Sequence, residues 1–115
     1  MALTYENKKD LAELLSIVLE DDEYVYHIHK INDKTAKLAE EMMNDLIFCN
    51  RATTIIFNSI RCVPKSPNVV GWLIGCLPAV KAVFKAYKDE LQANLICHTH
   101  LIANYRSEMK LTLLY

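Results

Sequence analysis

The chain has 115 residues, of which 52% are hydrophobic and 23% charged, a balance typical of one globular domain with a core to bury. Its two glycines and three prolines leave few turn formers, which argues against a many-stranded β fold and favours long helices. The net charge of −1 gives no general electrostatic attraction to nucleic acid, so we expect no nucleic-acid partner.

A first helix is predicted over residues 5–20. Thr4 is a suitable N-cap for it, and apolar residues at helical spacing form one face: Leu11, Leu14, Leu15, Val18 and Leu19. The four acids at positions 20–23 fit a turn followed by the start of the next helix, where the helix dipole favours negative charge. A binding patch is the alternative interpretation of these acids.

A long second helix is predicted from about residue 24 to residue 63, although the aromatic and β-branched residues at 24–31 also suit a strand. The helix is favoured because residues alternate in steps of three and four along one seam: Val25, Ile28, Asn32, Thr35, Ala39, Met42, Leu46, Cys49, Thr53, Ile56, Ile60 and Val63. Asn32 and Asp33 mark a kink or a restart, with Asp33 as the candidate N-cap. Further apolar residues such as Ile55 widen the seam beyond what one partner helix covers.

Pro64, Ser66 and Pro67 end the second helix, and a third is predicted from residue 68 to near the C-terminus. Its large residues share one face: Leu73, Leu77, Val80, Phe84, Tyr87 and Leu91. Pro78 should kink this helix or mark a boundary between two helices.

The fold class expected from these elements is all-α, a single helical domain over residues 1–115. We expect a three- or four-helix bundle in which a short first helix accompanies a long antiparallel helical hairpin. If the hairpin turns near residue 65, position i faces about 131 − i, which places Lys88 opposite Met43 and between Glu41 and Asp45.

Charge divides the chain into two complementary halves. Residues 1–45 hold eleven acids and five bases, whereas residues 46–115 hold three acids and eight bases. We therefore expect the acidic half to fold against the basic half, within one chain or between two copies.

A second stripe on the third helix, almost opposite the large face, consists of small residues: Gly71, Gly75, Ala79, Ala82 and Ala86. Small side chains let another backbone approach closely. We expect this stripe, together with the neighbouring Trp72, to form the interface of a homo-oligomer. In the alternative interpretation the two glycines and Pro78 only mark an irregular first turn.

Two features bear on location. The uncharged run at residues 69–80 would be about 18 Å long as a helix, which is too short for a bilayer, so we expect no membrane span. The cysteines are widely spaced without a CxxC motif or a signal-peptide pattern: Cys49, Cys62, Cys76 and Cys97. We expect reduced thiols in a cytoplasmic protein.

Two His-x-His pairs, His27 with His29 and His98 with His100, fall at nearly the same level of the expected hairpin. A metal site made from them, with Cys97 as a soft ligand, is the alternative function. Residues two apart on a helix point about 160° apart, however, so we expect no bound metal.

Motifs for catalysis are missing from the sequence. It has no glycine-rich phosphate loop, no hydrolase elbow and no His-Glu-x-x-His motif. We expect a non-enzymatic, self-associating interaction or regulatory module without a cofactor, and a membrane-associated helical protein is a further alternative.

Overall fold

The computed structural model describes residues 3–95 and 98–114, and within these ranges all regular structure is helical, as predicted. There are seven α-helices and one 3₁₀ helix, in the order α1 (Tyr5–Leu19), α2 (Glu23–Tyr26), the 3₁₀ helix (Ile28–Lys30), α3 (Asp33–Phe48), α4 (Arg51–Asn58), α5 (Leu73–Ala86), α6 (Lys88–Leu95) and α7 (Thr99–Leu114). The helices pack into a body of 34 × 27 × 25 Å.

Helix α1 forms as predicted. The Thr4 hydroxyl caps it by accepting a hydrogen bond from the Asn7 N–H at 3.1 Å. The helix ends at Glu20, whose left-handed conformation (φ 53°) lets the Asp21 N–H bond back to the Ser16 carbonyl at 3.2 Å. Its apolar face is buried, and α5 is the helix against which it packs most extensively.

The acidic residues 20–23 form the predicted turn and helix start. The Asp21 carboxylate accepts a hydrogen bond from the Glu23 N–H at 3.0 Å, and Glu23 opens α2. Residues 24–26 and 28–30 are helical, and residues 24–31 contain no strand, which agrees with the choice of helix over strand. They form only two short pieces, however, and Val25 is 39% exposed, so the long seam does not begin there.

The second helix predicted for residues 24–63 is not continuous. The predicted restart at Asn32 and Asp33 is present, whereas the break at Asn50 was not predicted. Asn32 caps α3 in a reciprocal capping box with Thr35, so Asp33 is the first helical residue and not the N-cap. Asn50 caps α4 by accepting a hydrogen bond from the Thr53 N–H at 2.8 Å. An asparagine side chain that satisfies backbone donors restarts a helix even where the apolar spacing continues.

The third helix is also divided. It begins at Leu73 rather than at residue 68, and a break at Tyr87 separates α5 from α6. Gly71 therefore precedes the helix, and Pro78 lies inside α5. Leu73, Leu77, Val80, Phe84 and Leu91 of the predicted large face are buried, whereas Tyr87 at the break is exposed.

The pairing of position i with 131 − i does not describe the observed packing. Glu40, expected near position 91, bonds to Gly71 and Leu73, and Asp45, expected near position 86, bonds to Tyr105 of α7. Helix α3 packs mainly on α7 and α4, while α5 packs mainly on α1.

Opposite charges join the two halves of the chain, in agreement with the charge pattern. The Lys81 Nζ lies 2.8 Å from a carboxylate oxygen of Asp10 and 2.6 Å from one of Glu13. The Lys110 Nζ lies 3.6 Å from a carboxylate oxygen of Asp21. Among the described residues, Lys81 rather than Lys88 joins the third predicted helix to acids of the first half.

Candidate functional site

One side of α5 faces outward with small, uncharged residues. We call it the α5 surface and define it by Gly75, Pro78, Ala79, Ala82 and Ala86. All are exposed except Ala79, which is half-buried, and they lie on the opposite side of the helix from the buried Leu73, Leu77, Val80 and Phe84. Four members of the predicted interface stripe therefore lie together at the surface of the folded chain.

The other two predicted interface residues lie outside this surface. Gly71 is exposed but precedes α5, with a φ of +83° that favours glycine over residues with a Cβ atom. Trp72 is half-buried, and its indole N–H donates a hydrogen bond to the Asn44 side-chain oxygen at 2.8 Å. Gly71 is thus accounted for by its backbone conformation, and Trp72 makes a contact within the chain.

Gly75 has no such explanation inside the chain. It lies in the first turn of α5 without a positive φ, and a Cβ atom added there would meet no atom of the described residues within 4 Å. Glycine inside a helix is unfavourable by roughly 1 kcal/mol relative to alanine. Neither backbone conformation nor packing within the chain therefore calls for glycine at this position.

Two side chains of α3 fix the segment that leads into α5. The Asn44 amide donates hydrogen bonds to the carbonyl oxygens of Pro67 and Val69, both at 3.2 Å. The Glu40 carboxylate accepts hydrogen bonds from the N–H groups of Gly71 and Leu73. Both side chains are buried, and the hydrogen bond from Leu73 to Glu40 is itself buried, so these contacts hold the start of α5 to α3.

An open cleft of about 370 Å³ lies beside this segment. Its lining comes from α3, from the segment before α5 and from α7: Glu41, Asn44, Asp45, Pro67, Asn68, Val70 and Tyr105. The Tyr105 hydroxyl donates a hydrogen bond to Asp45, and burial together with this bond raises the pKa of Tyr105. Sequence reasoning placed Glu41 and Asp45 beside Lys88 and so missed the cleft, whose other walls come from residues distant in the chain.

The histidine pairs do not build a metal centre with other described residues. The ring centroids of His27 and His29 are 6.2 Å apart, and the two ring planes are tilted by 60°. The Nε2 atom of His27 lies 3.8 Å from a carboxylate oxygen of Glu23. Across residues 3–95 and 98–114, no three histidine, cysteine, aspartate or glutamate side chains come together in a way that could hold a metal ion. Cys97, the soft ligand of the alternative metal site, lies outside the described residues.

The uncharged run at residues 69–80 is divided between an irregular segment and the first half of α5. In the part of the chain that the structure describes, no helix has both the length and the apolar character needed to cross a bilayer.

Comparison with known proteins leaves the chain without a family assignment. No family model, no curated protein and no solved structure matches it. Its own surfaces and contacts are therefore what bear on its function.

Proposed function

We propose that this protein is a non-enzymatic, cytoplasmic interaction module that associates with a second copy of itself through the α5 surface. The observation that carries the proposal is Gly75, which is exposed and open on its outer side although nothing in the chain requires a glycine there. Close approach of another backbone does require one, because only glycine leaves the helix backbone uncovered.

The rest of the α5 surface supports the same contact. Ala82 and Ala86 continue it for two further turns without a charge, so a second helix can lie along it at short range. Uncharged exposed patches of this kind are typical of interaction sites. A second copy is the proposed partner because a twofold axis places the same surface of each copy in contact, and two stripes of small residues can approach each other closely.

Glu40 and Asn44 also favour this proposal. By holding residues 67–73 to α3, they fix where α5 begins and therefore how the α5 surface is presented. A surface that is rigid before binding loses less conformational entropy on association.

The test compares Gly75→Leu with Ala103→Leu, a matched control that adds bulk at an exposed position of α7. We expect the parent and Ala103→Leu to be dimers by light scattering, and Gly75→Leu to be a monomer. Overpacking of this kind typically costs about 1–3 kcal/mol. Since leucine forms helices better than glycine, the isolated Gly75→Leu chain should remain folded. A monomeric parent, or a Gly75→Leu protein of unchanged mass, would refute the proposal.

A further inference from the structure

Two of the cysteines, separated by 14 positions in sequence, meet in the fold. Cys62 lies in the irregular segment after α4, and Cys76 lies on α5 beside the α5 surface. The Cys76 thiol donates a hydrogen bond to the Cys62 carbonyl oxygen, with the sulfur and oxygen 3.5 Å apart. Arg61, in a left-handed conformation with a φ of 57°, turns the chain immediately before Cys62.

The Cys62 side chain is also close enough to Cys76 to affect its ionisation. The pKa of Cys76 is raised to about 11, first by burial and then by a hydrogen bond with the Cys62 side chain. Both residues are half-buried rather than sealed in the core. Two neighbouring thiols near the surface are the arrangement that thiol–disulfide exchange needs.

We propose that Cys62 and Cys76 form a site of reversible oxidation, at which a small disulfide such as oxidised glutathione converts the two thiols into an intramolecular disulfide. This inference is independent of self-association through α5. It assigns a chemical modification to the connection between α4 and α5.

The exchange proceeds in two balanced steps. The Cys62 thiolate attacks one sulfur of the oxidant, whose S–S bond breaks to give a mixed disulfide and one released thiolate. Cys76 then loses its proton to solvent and attacks the Cys62 sulfur, and the second half of the oxidant leaves as a thiolate. The two cysteines are oxidised by two electrons, and one oxidant molecule is reduced to two thiols.

The other described cysteine, Cys49, belongs to a different region. Its thiol donates a hydrogen bond to the Leu46 carbonyl oxygen at 2.9 Å, at the end of α3. A disulfide between Cys62 and Cys76 would instead close a loop of about 15 residues that carries the exposed Val70. Loop closure restricts the unfolded chain, so the oxidised protein should melt at a higher temperature than the reduced protein.

Peptide mapping of the parent protein tests the proposal without any variant. The protein is incubated with oxidised glutathione at pH 7, 8 and 9, quenched with acid, alkylated and digested with trypsin. Trypsin separates residues 62–65 from residues 66–81, so only a Cys62–Cys76 disulfide joins these two peptides. We expect this linked peptide as the main product, formed faster at higher pH because the attacking species are thiolates.

Cysteine-to-serine variants provide a second test of which thiols react. Cys62→Ser and Cys76→Ser should each stop at a glutathione adduct or fail to react, whereas Cys49→Ser should still give the linked peptide. A parent protein that accumulates glutathione adducts at residues 62 or 76 without forming the link, or that does not react up to pH 9, would overturn the proposal. So would a main product in which Cys49 or Cys97 is a partner.

Discussion

The side chain of Glu40 accepts a hydrogen bond from the backbone N–H of Leu73, 33 positions later in the chain, at 3.3 Å. Leu73 is the first residue of α5, and Trp72 at its N-cap position makes no side-chain cap. A carboxylate from α3 therefore caps α5 and places negative charge at its N-terminus, where the helix dipole favours it. The helix that carries the α5 surface depends on a distant side chain for its start.

Replacing Glu40 should consequently destabilise the protein. Glu40→Ala leaves the buried N–H of Leu73 without its acceptor, and we expect a loss of about 1–3 kcal/mol in the free energy of unfolding. Glu40→Gln keeps one acceptor oxygen and should lose less. Urea denaturation measures both, with Glu41→Ala as the control, since this exposed neighbour should change stability by less than about 0.5 kcal/mol. Equal losses for Glu40→Ala and Glu41→Ala would contradict the assigned cap.

Lys81 should matter more than Lys85, although both lie on α5. The Lys81 ammonium donates to Asp10 and Glu13 of α1, and these hydrogen bonds raise the pKa of Lys81. We expect Lys81→Ala to lower stability by about 1 kcal/mol, and by less at high salt, because charges that reach the surface are screened. Denaturation in low and high salt, with the exposed Lys85→Ala as control, tests this. A salt-independent loss would point to lost packing instead.

Stability should fall at alkaline pH. Burial, with a smaller contribution from the Asp21 carboxylate, raises the pKa of Tyr24 from 10.0 to about 12. Between these values the folded state holds a proton that the unfolded state has lost, so the stabilisation present below pH 10 disappears as the pH rises towards 12. For this group the loss is about 2–3 kcal/mol.

The pKa values of Lys81, Cys76 and Tyr105 are also raised, so these groups likewise lower the free energy of unfolding as the pH rises. Urea denaturation at pH 9, 10 and 11 measures the combined fall, and Tyr24→Phe should show a shallower one because it has no phenol to titrate. A free energy of unfolding that stays level or increases over this range would be incompatible with the assigned shifts.

Replacing all four histidines should leave the fold intact. His29 and His100 are exposed, and His27 and His98 are only half-buried, so none fills the core. We expect the quadruple alanine variant to keep its helical circular dichroism, and we expect protein purified without a histidine tag to contain no stoichiometric metal. Zinc or iron that is present in the parent and lost in the variant would instead support the metal-binding alternative.

Helical faces could be predicted from the sequence because apolar spacing reports directly which side is buried. Leu73, Leu77, Val80 and Phe84 were assigned to one buried face and lie there. Helix ends were predicted less well, since the same spacing runs through Asn32, where a restart was predicted, and through Asn50, where none was. At both sites the local hydrogen bonds of an asparagine side chain outweigh the continuing pattern.

The candidate site shows a second limit of sequence reasoning. Helical spacing does not identify Glu40 as the cap of another helix, because its partners Gly71 and Leu73 lie in another part of the chain. Similarly, Gly71 and Gly75 are one helical turn apart in the sequence, and both were expected to belong to the same interface stripe. The structure separates them, because the positive φ of Gly71 explains that glycine while Gly75 has open space beside it.

The contacts of α1 have a consequence for the order in which the protein is made. Helix α1 packs most extensively on α5, and the Arg106 side chain donates hydrogen bonds to the Leu19 carbonyl at the end of the helix. A ribosome produces α1 long before α5 and α7, so the part of the α1 apolar face that packs on α5 stays uncovered until late in synthesis. That interval is when the protein is most exposed to aggregation and to capture by chaperones.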